Sequence, residues 1–407
     1  MRLRTITALA LLGFATAAPA QAHEPYVPAD PGVVLEHVGL PRAPGALQLR
    51  EVRAQWLAEP GNYAVALAYA RVALEVGRQE DDPRYFGYAE SALHPWLEYQ
   101  QPPPEARLLR ASLLQARKDF AGALHDLDAL AAESGPESAQ ALLARTGLRL
   151  VQGDPVAAAQ DCAALGARVD ELLRGICSAD ARALHGEAVA GLAALESLRP
   201  AAANAALPVR VWLLGSAAGI ADRLGRYPEA RAAYAQAQRL LDTAGTRDPG
   251  LLAAYADCLL ERGDNSAVLG LLSSSTRIDS LLLRLALAER RLGEAGDAAQ
   301  TASAGRHAAI LDERFREARQ RGDKLHLREE SIYQLGLVRD PLAALKLAQQ
   351  NWNMQREPAD ARVLLRAALA AKQPQAASPV LDWLRQTGLE DVYLRPLAAQ
   401  LGGGAAP

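Results

Sequence analysis

The sequence has few of the residues on which catalytic and metal sites depend. It contains seven histidines and three cysteines in 407 residues. No HExxH, GxSxG or GxxxxGK motif is present, so the usual zinc-protease, serine-hydrolase and P-loop signatures are missing. No CxxC spacing occurs either, which argues against a zinc ribbon or a dithiol redox motif. These absences predict a protein that is not an enzyme and that holds no metal and no cofactor.

The charge balance also argues against a nucleic-acid partner. The formal net charge is −3, and the cationic residues are almost all arginine, with lysine only at Lys118, Lys324, Lys346 and Lys372. Binding to phosphates requires clustered basic residues, which the sequence does not provide. We therefore expect no nucleic acid among the partners.

A long apolar run occurs only at the start of the chain. Residues 1–22 begin with Arg2 and Arg4, continue with an apolar stretch, and end in a small-residue Ala-Gln-Ala sequence. This order is typical of a cleavable secretory signal peptide. We expect cleavage near Ala22, a mature chain that begins at His23, and a periplasmic or secreted protein. No later segment has the roughly 20 apolar residues of a spanning helix, so we expect no integral membrane segment after cleavage.

What the sequence does contain is a repeated pattern. Similar stretches begin at four turn positions: KDFAGALHDLDAL at Lys118, GDPVAAAQDCAAL at Gly153, GRYPEARAAYAQA at Gly225 and GDNSAVLGLLSSS at Gly263. Each follows a run with apolar residues at helical intervals. The chain is 50% hydrophobic but only 5% aromatic, so alanine and leucine must supply most of the packing. Each unit is predicted to be a helix, a tight turn and a second helix.

This pattern resembles the tetratricopeptide repeat (TPR). Gly225, Tyr227, Ala230, Tyr234 and Ala237 match the second half of its motif. The resemblance implies an all-α fold, a right-handed α-solenoid of about eight or nine helix-turn-helix repeats. The stretches DPRYFGYAESALHPW and NWNMQREPADARVLLRAAL are similar to exported bacterial members of this family.

The repeat pattern also suggests how the chain is divided. We expect a signal peptide at 1–22, a proline-rich N-terminal arm and lead-in at 23–61, and the solenoid at 62–388. A capping helix and a disordered tail should follow at 389–407. Within the first repeat, residues 78–84 are predicted to form an enlarged loop.

Two of the cysteines fall in adjacent helices of the predicted solenoid. Cys162 lies in the second helix of one repeat and Cys177 in the first helix of the next, so the two are either bridged or present as buried free thiols. Cys258 is predicted to be a core thiol.

A partner-binding groove is the functional site that the resemblance implies. In this family the first helix of each repeat lines the groove, and residues 306–336 are unusually rich in charge. Solvated helix faces are the alternative interpretation of the same charges. The groove residues would be Arg284, Arg290, Arg291, His326, Glu329, Glu330, Tyr333, Arg362 and Arg366.

Three functional hypotheses follow. The first is a periplasmic TPR scaffold or adaptor, with assembly factor as one such role, that binds a protein or an extended peptide in the groove. The second is an enzyme or metal-handling protein that uses a charged site near residues 326–366. The third is a structural solenoid that holds a membrane complex together through its ends.

Overall fold

The computed structural model describes residues 44–402. These residues contain twenty α-helices and no strand. In chain order the helices are α1 (Pro44–Ala58), α2 (Tyr63–Glu80), α3 (Arg84–Leu97), α4 (Pro104–Ala116), α5 (Phe120–Ala132), α6 (Glu137–Val151), α7 (Pro155–Leu165), α8 (Glu171–Ala183), α9 (Ala188–Ala202), α10 (Leu207–Arg223), α11 (Tyr227–Thr243), α12 (Pro249–Glu261), α13 (Asn265–Leu272), α14 (Asp279–Glu294), α15 (Ala298–Gln320), α16 (Leu327–Tyr333), α17 (Pro341–Trp352), α18 (Pro358–Ala370), α19 (Ser378–Thr387) and α20 (Leu394–Gln400).

The helices from α2 to α19 form nine consecutive pairs, which we number repeat 1 (α2 and α3) to repeat 9 (α18 and α19). Each pair packs internally and against the next pair along the chain. A π-helical turn, Gln334–Val338, follows α16 in repeat 8. Because every pair buries its apolar surface against its neighbours, the predicted all-α solenoid is confirmed.

One residue with positive φ ends the first helix of each repeat. In such a turn the left-handed residue lets the chain reverse, and the amide that follows it reaches back to a free carbonyl of the helix. After Gly153, for example, the Asp154 amide donates to the Arg149 carbonyl at 2.9 Å. The nine residues are Asp81, Lys118, Gly153, Gly186, Gly225, Gly263, Gly296, Arg339 and Lys372.

An aspartate at the next position commonly starts the second helix. The Asp154 side chain accepts a hydrogen bond from the Ala157 amide at 2.9 Å, and Asp119 accepts one from the Gly122 amide at 3.0 Å. Asp297 and Asp340 cap α15 and α17 in the same way. At these four turns, the positive-φ residue ends one helix and the aspartate after it starts the next.

Alanines allow the two helices of a repeat to approach closely. Ala123, Ala158, Ala230 and Ala344 occupy equivalent positions in the second helices, and all four are fully buried. A larger side chain at these positions would separate helices that pack at native density. At these four positions alanine supplies close packing between helices, as the low aromatic content predicted.

The N-terminal part differs from the prediction in two ways. Helix α1 begins at Pro44, inside the segment 23–61 that was predicted as an arm and lead-in. The loop predicted at 78–84 was wrong in length, because α2 continues to Glu80 and only residues 81–83 link it to α3. The predicted signal peptide, residues 23–43 of the arm, and residues 403–407 of the tail lie outside the described residues.

The membrane prediction concerns helix length and hydropathy. Within residues 44–402, no helix combines the length and the apolar character that are needed to cross a bilayer.

Candidate functional site

The predicted groove residues of α14 are held by neighbouring repeats. Arg284 is only 3% exposed, and its guanidinium donates two hydrogen bonds to the Asp257 carboxylate, both at 2.8 Å. Glu329 of α16 lies 3.9 Å from the same guanidinium. Burial opposes the charge of Arg284, but Asp257 outweighs it and raises the pKa of Arg284. This arginine therefore connects repeats 6, 7 and 8 from inside the protein.

The other two arginines of α14 bind backbone carbonyls. Arg290 donates to the carbonyls of Gly336 and Leu337, the latter at 3.0 Å. Arg291 donates to the Leu260 carbonyl at 2.6 Å. Carbonyls at helix ends have no partner within the helix, so these side chains satisfy the ends of the neighbouring first helices.

The acidic and aromatic residues of α16 are also engaged within the chain. Glu330 forms an ion pair with Arg319 of α15. Tyr333 is buried, and its hydroxyl donates to the Ala308 carbonyl at 3.3 Å. His326 immediately precedes α16 and is partly exposed. The adjacent carboxylates of Glu329 and Glu330 thus pair with arginines of different helices.

The arginines of α18 reach back to repeat 6. Arg366 donates two hydrogen bonds to the Glu261 carboxylate, both at 2.7 Å, and Arg362 lies 3.5 Å from it. Burial works against ionisation of Glu261, but the hydrogen bonds from Arg366 dominate and lower its pKa. The structure therefore brings Arg362 and Arg366 together on one carboxylate.

Sequence reasoning missed the most heavily paired arginine of this region. Arg328 binds the Asp360 carboxylate at 2.5 and 2.9 Å and also forms an ion pair with Glu357. Asp360 is 2% exposed and accepts a further hydrogen bond from Asn351 at 2.6 Å. The sequence places Arg328 between His326 and Glu329, but nothing in that spacing shows that α18 supplies its carboxylates.

The metal-handling hypothesis required several ligands in one place. Among the described residues, no group of three histidine, cysteine, aspartate or glutamate side chains is arranged to hold a metal ion. Within that part of the chain, no hydrogen bond joins His326 to Glu329 or Glu330. The charged residues between 326 and 366 instead form ion pairs that link repeats 6 to 9.

The last repeat also contacts the middle of the array. The Trp383 indole N–H donates to the Gly153 carbonyl at 3.0 Å, and the Arg356 amide donates to the Val151 carbonyl at 2.8 Å. Gly153 has a φ of 77°, and a Cβ there would lie 2.7 Å from the Arg356 Cβ. Glycine at this turn therefore serves both the chain reversal and the close approach of the last repeats.

Beyond α19, residues 388–393 cross the turns of repeats 4 and 5. The Glu390 carboxylate accepts a hydrogen bond from the Ala188 amide, the first of α9, at 2.6 Å. The Val392 amide donates to the Arg223 carbonyl at 2.9 Å, and the Tyr393 hydroxyl donates to the Asp222 carboxylate at 2.7 Å. Part of the region predicted as a cap thus contacts the turns of repeats 4 and 5, and its helix α20 packs against α18.

Buried charges lie beneath this contact. Asp391 is 3% exposed, and burial raises its pKa despite the nearby Arg362 and Arg223. Burial also lowers the pKa of Arg223 and raises that of Asp180 to about 6. Asp180 keeps two hydrogen bonds, from the Trp212 indole at 2.8 Å and the Ser216 hydroxyl at 3.0 Å. Charges in this layer are costly unless they are paired.

Two adjoining cavities border the same region. One, of about 460 Å³, lies between the Gly153 turn and the side chains of Met354 and Trp383. The other, of about 390 Å³, lies along α7 and shares Val156 and His185 with the first. Val156 is 51% exposed, so this apolar side chain is accessible to a partner.

The cysteine pair stabilises the neighbouring repeats. Cys162 of α7 and Cys177 of α8 form a disulfide with a Cα–Cα distance of 5.7 Å. Both residues are fully buried, whereas Cys258 is a buried free thiol whose pKa is raised by burial. Of the two alternatives for Cys162 and Cys177, the structure therefore contains the bridge between repeats 3 and 4.

No protein-family model matches the chain, and no curated protein matches it. Among solved structures, it is similar to the crystal structure of the P58(IPK) TPR domain. The match covers 80% of this chain and 93% of that chain, at 14% identity and a TM-score of 0.20. The nine helix pairs themselves define the fold, and membership of the TPR family stays a prediction.

Proposed function

We propose that this protein is an exported, non-enzymatic TPR-type scaffold that binds a protein or peptide partner. The single observation that carries the proposal is the uninterrupted array of nine helix pairs in residues 44–402. Stacked repeats of this kind create extended surfaces, which suit recognition of another chain. The cavities beside Val156 supply an accessible apolar position on that surface.

The charges of the array support a binding role rather than a catalytic one. Arg284, Arg328 and Arg366 are each held by carboxylates from other helices. A catalytic residue must be free to contact a substrate, whereas these ion pairs fix the relative positions of repeats. In this proposal, the ion pairs hold the binding surface in one geometry.

Site-specific photocrosslinking tests the binding proposal. A photoreactive amino acid placed at Val156 should yield a discrete crosslinked protein from a periplasmic extract, since this side chain borders both cavities. The matched control is Ile310 on α15, which is 39% exposed and distant in sequence. The partner would be identified by mass spectrometry and purified for direct binding measurements. Identical crosslinking patterns at both positions, or none at Val156, would contradict the proposal.

Export has its own test. The sequence of residues 1–22 predicts a signal peptide that is removed on export. The protein isolated from the periplasm or the medium should therefore begin at His23. We expect Edman sequencing or mass spectrometry to find that terminus. A cytoplasmic protein that retains residues 1–22 would overturn the proposed location without affecting the binding proposal.

A further inference from the structure

Residues 388–393, which we call the closing segment, lie on the array in the manner of a bound peptide. The segment is not helical, and it joins α19 to α20. It contacts the turns that follow α8, α10 and α12, which belong to three successive repeats. We call these three turns, at residues 183–188, 222–227 and 261–265, the turn face.

The contacts with the turn face use both backbone and side-chain groups. Glu390 binds the Ala188 amide at the start of α9, where the helix end favours a negative charge. The Val392 amide donates to the Arg223 carbonyl at the end of α10. These are the groups that helix ends leave unsatisfied, and a separate peptide that places a carboxylate and an amide at the same positions would satisfy them too.

Tyr393 provides the side-chain anchor of the closing segment. The centre of its ring lies 4.1 Å from the Arg362 Cζ atom and 5.7 Å from the Arg262 Cζ atom. Its hydroxyl donates to Asp222 at 2.7 Å, and Asp222 is only 7% exposed. Two cations beside the ring and one carboxylate at its tip favour a tyrosine over an aliphatic residue.

The closing segment does not satisfy every polar group that it buries. Asp391 Oδ2 and Arg362 Nε are both buried without a hydrogen-bond partner among the described residues. The closest contact between these side chains joins Arg362 Nη2 to Asp391 Oδ2 at 3.8 Å. An unsatisfied buried group costs free energy, so docking of the segment is weaker than its other contacts suggest. A competing peptide could replace it.

We propose that the turn face is a binding surface for a peptide that carries a glutamate followed, after two residues, by a tyrosine. The closing segment, with Glu390 and Tyr393, is its resident internal ligand. This inference rests on the proposed binding function and names the chemistry of the partner segment. A partner would bind by displacing the closing segment.

The test uses the full chain and a labelled peptide, TGLEDVYLRP, that copies residues 387–396. The receptor is the double variant Glu390→Ala and Tyr393→Ala, in which the internal ligand is weakened. A tethered segment acts at an effective concentration of about 1 mM. We therefore expect fluorescence anisotropy to show peptide binding to the variant that is at least about tenfold tighter than to the unmodified protein.

Two controls define the site. A peptide with alanine in place of its glutamate and tyrosine should bind at least about tenfold more weakly to the same variant. Adding Arg262→Ala to the variant should weaken binding of the unmodified peptide to a similar degree. Absence of peptide binding to a variant that circular dichroism shows to be folded would overturn the inference, and so would equal binding of both peptides.

Hydrogen exchange of the unmodified protein keeps the inference testable if the variant does not fold. The amide of Val392 should exchange at least about tenfold faster than that of Leu365 in α18, because the closing segment must open by itself. Equal protection of both amides would overturn the inference. A partner crosslinked at Val156 would still support the proposed function, so the two failures can be distinguished.

Discussion

Asp180 offers a test of the electrostatics in the middle of the array. Its partly buried carboxylate accepts hydrogen bonds from Trp212 and Ser216 of α10 and lies near Arg223. Burial raises the pKa of Asp180 from its ordinary value of 3.8 to about 6. The ionised form is therefore unfavourable in the folded protein, despite its two hydrogen bonds.

The substitution Asp180→Asn should stabilise the protein at neutral pH. The amide oxygen of asparagine can accept the same two hydrogen bonds without a charge. A shift of about two pKa units corresponds to about 3 kcal/mol above both pKa values. Because the side chain retains some contact with solvent, we expect a gain of about 1 to 2 kcal/mol in the free energy of unfolding at pH 7.5.

The pH dependence has a definite sign. Between the unfolded pKa of 3.8 and the folded pKa of about 6, the folded state holds a proton that the unfolded chain has released. This contribution to stability therefore falls as pH rises through that window. The gain from Asp180→Asn should be largest above pH 7, shrink through pH 6, and be nearly absent near pH 4.

Urea unfolding followed by circular dichroism at several pH values provides the measurement. Asp126→Asn is the matched control. Asp126 accepts hydrogen bonds from Arg110 at 2.6 and 2.7 Å, so removal of its charge should lower the free energy of unfolding by about 1 to 3 kcal/mol. A loss of stability in Asp180→Asn at pH 7.5, or a gain that does not change with pH, would show that burial does not disfavour the charged form of Asp180.

The remaining predictions concern the turns and the disulfide. Gly153→Ala should lower the urea midpoint and expose residues 383–393 to protease, since its Cβ would lie 2.7 Å from the Arg356 Cβ. Gly263→Ala introduces the same backbone strain, but its Cβ would have no neighbouring atom within 4 Å. Protease should therefore cleave this variant at residues 383–393 no faster than the unmodified protein. Equal cleavage of both variants would contradict the close approach. Replacing Cys162 and Cys177 by serine should cost about 3 kcal/mol under oxidising conditions, and unchanged thermal unfolding would argue against the bridge.

The local structure of the repeats could be predicted because short stretches encode it. Gly153 and Asp154 specify a helix end and the next helix start, and Ala158 marks the close approach of the two helices. Each of these signals acts within a few residues. The same pattern therefore identifies turns and second helices along much of the chain without knowledge of distant contacts.

The closure by the last repeats could not be predicted in this way. Trp383 lies 230 residues from Gly153, and Arg366 lies 105 residues from Glu261. In the sequence, Trp383 has the pattern of an ordinary core residue, and Arg366 has that of an exposed groove residue. A charge at a helical position does not reveal which distant carboxylate will pair with it, so these ion pairs between repeats could not be predicted, and the partner-binding groove stays a prediction.

A direct titration of the purified, crosslink-identified partner against the mature protein tests whether the protein binds a partner at Val156. Isothermal titration calorimetry should show saturable binding, and replacing Val156 by glutamate should weaken it at least about tenfold, because a charge would enter an apolar contact. Glutamate at Ile310 should leave the affinity unchanged. If the partner does not bind the mature protein, or binds both variants and the unmodified protein equally, the protein is not the binding scaffold described here.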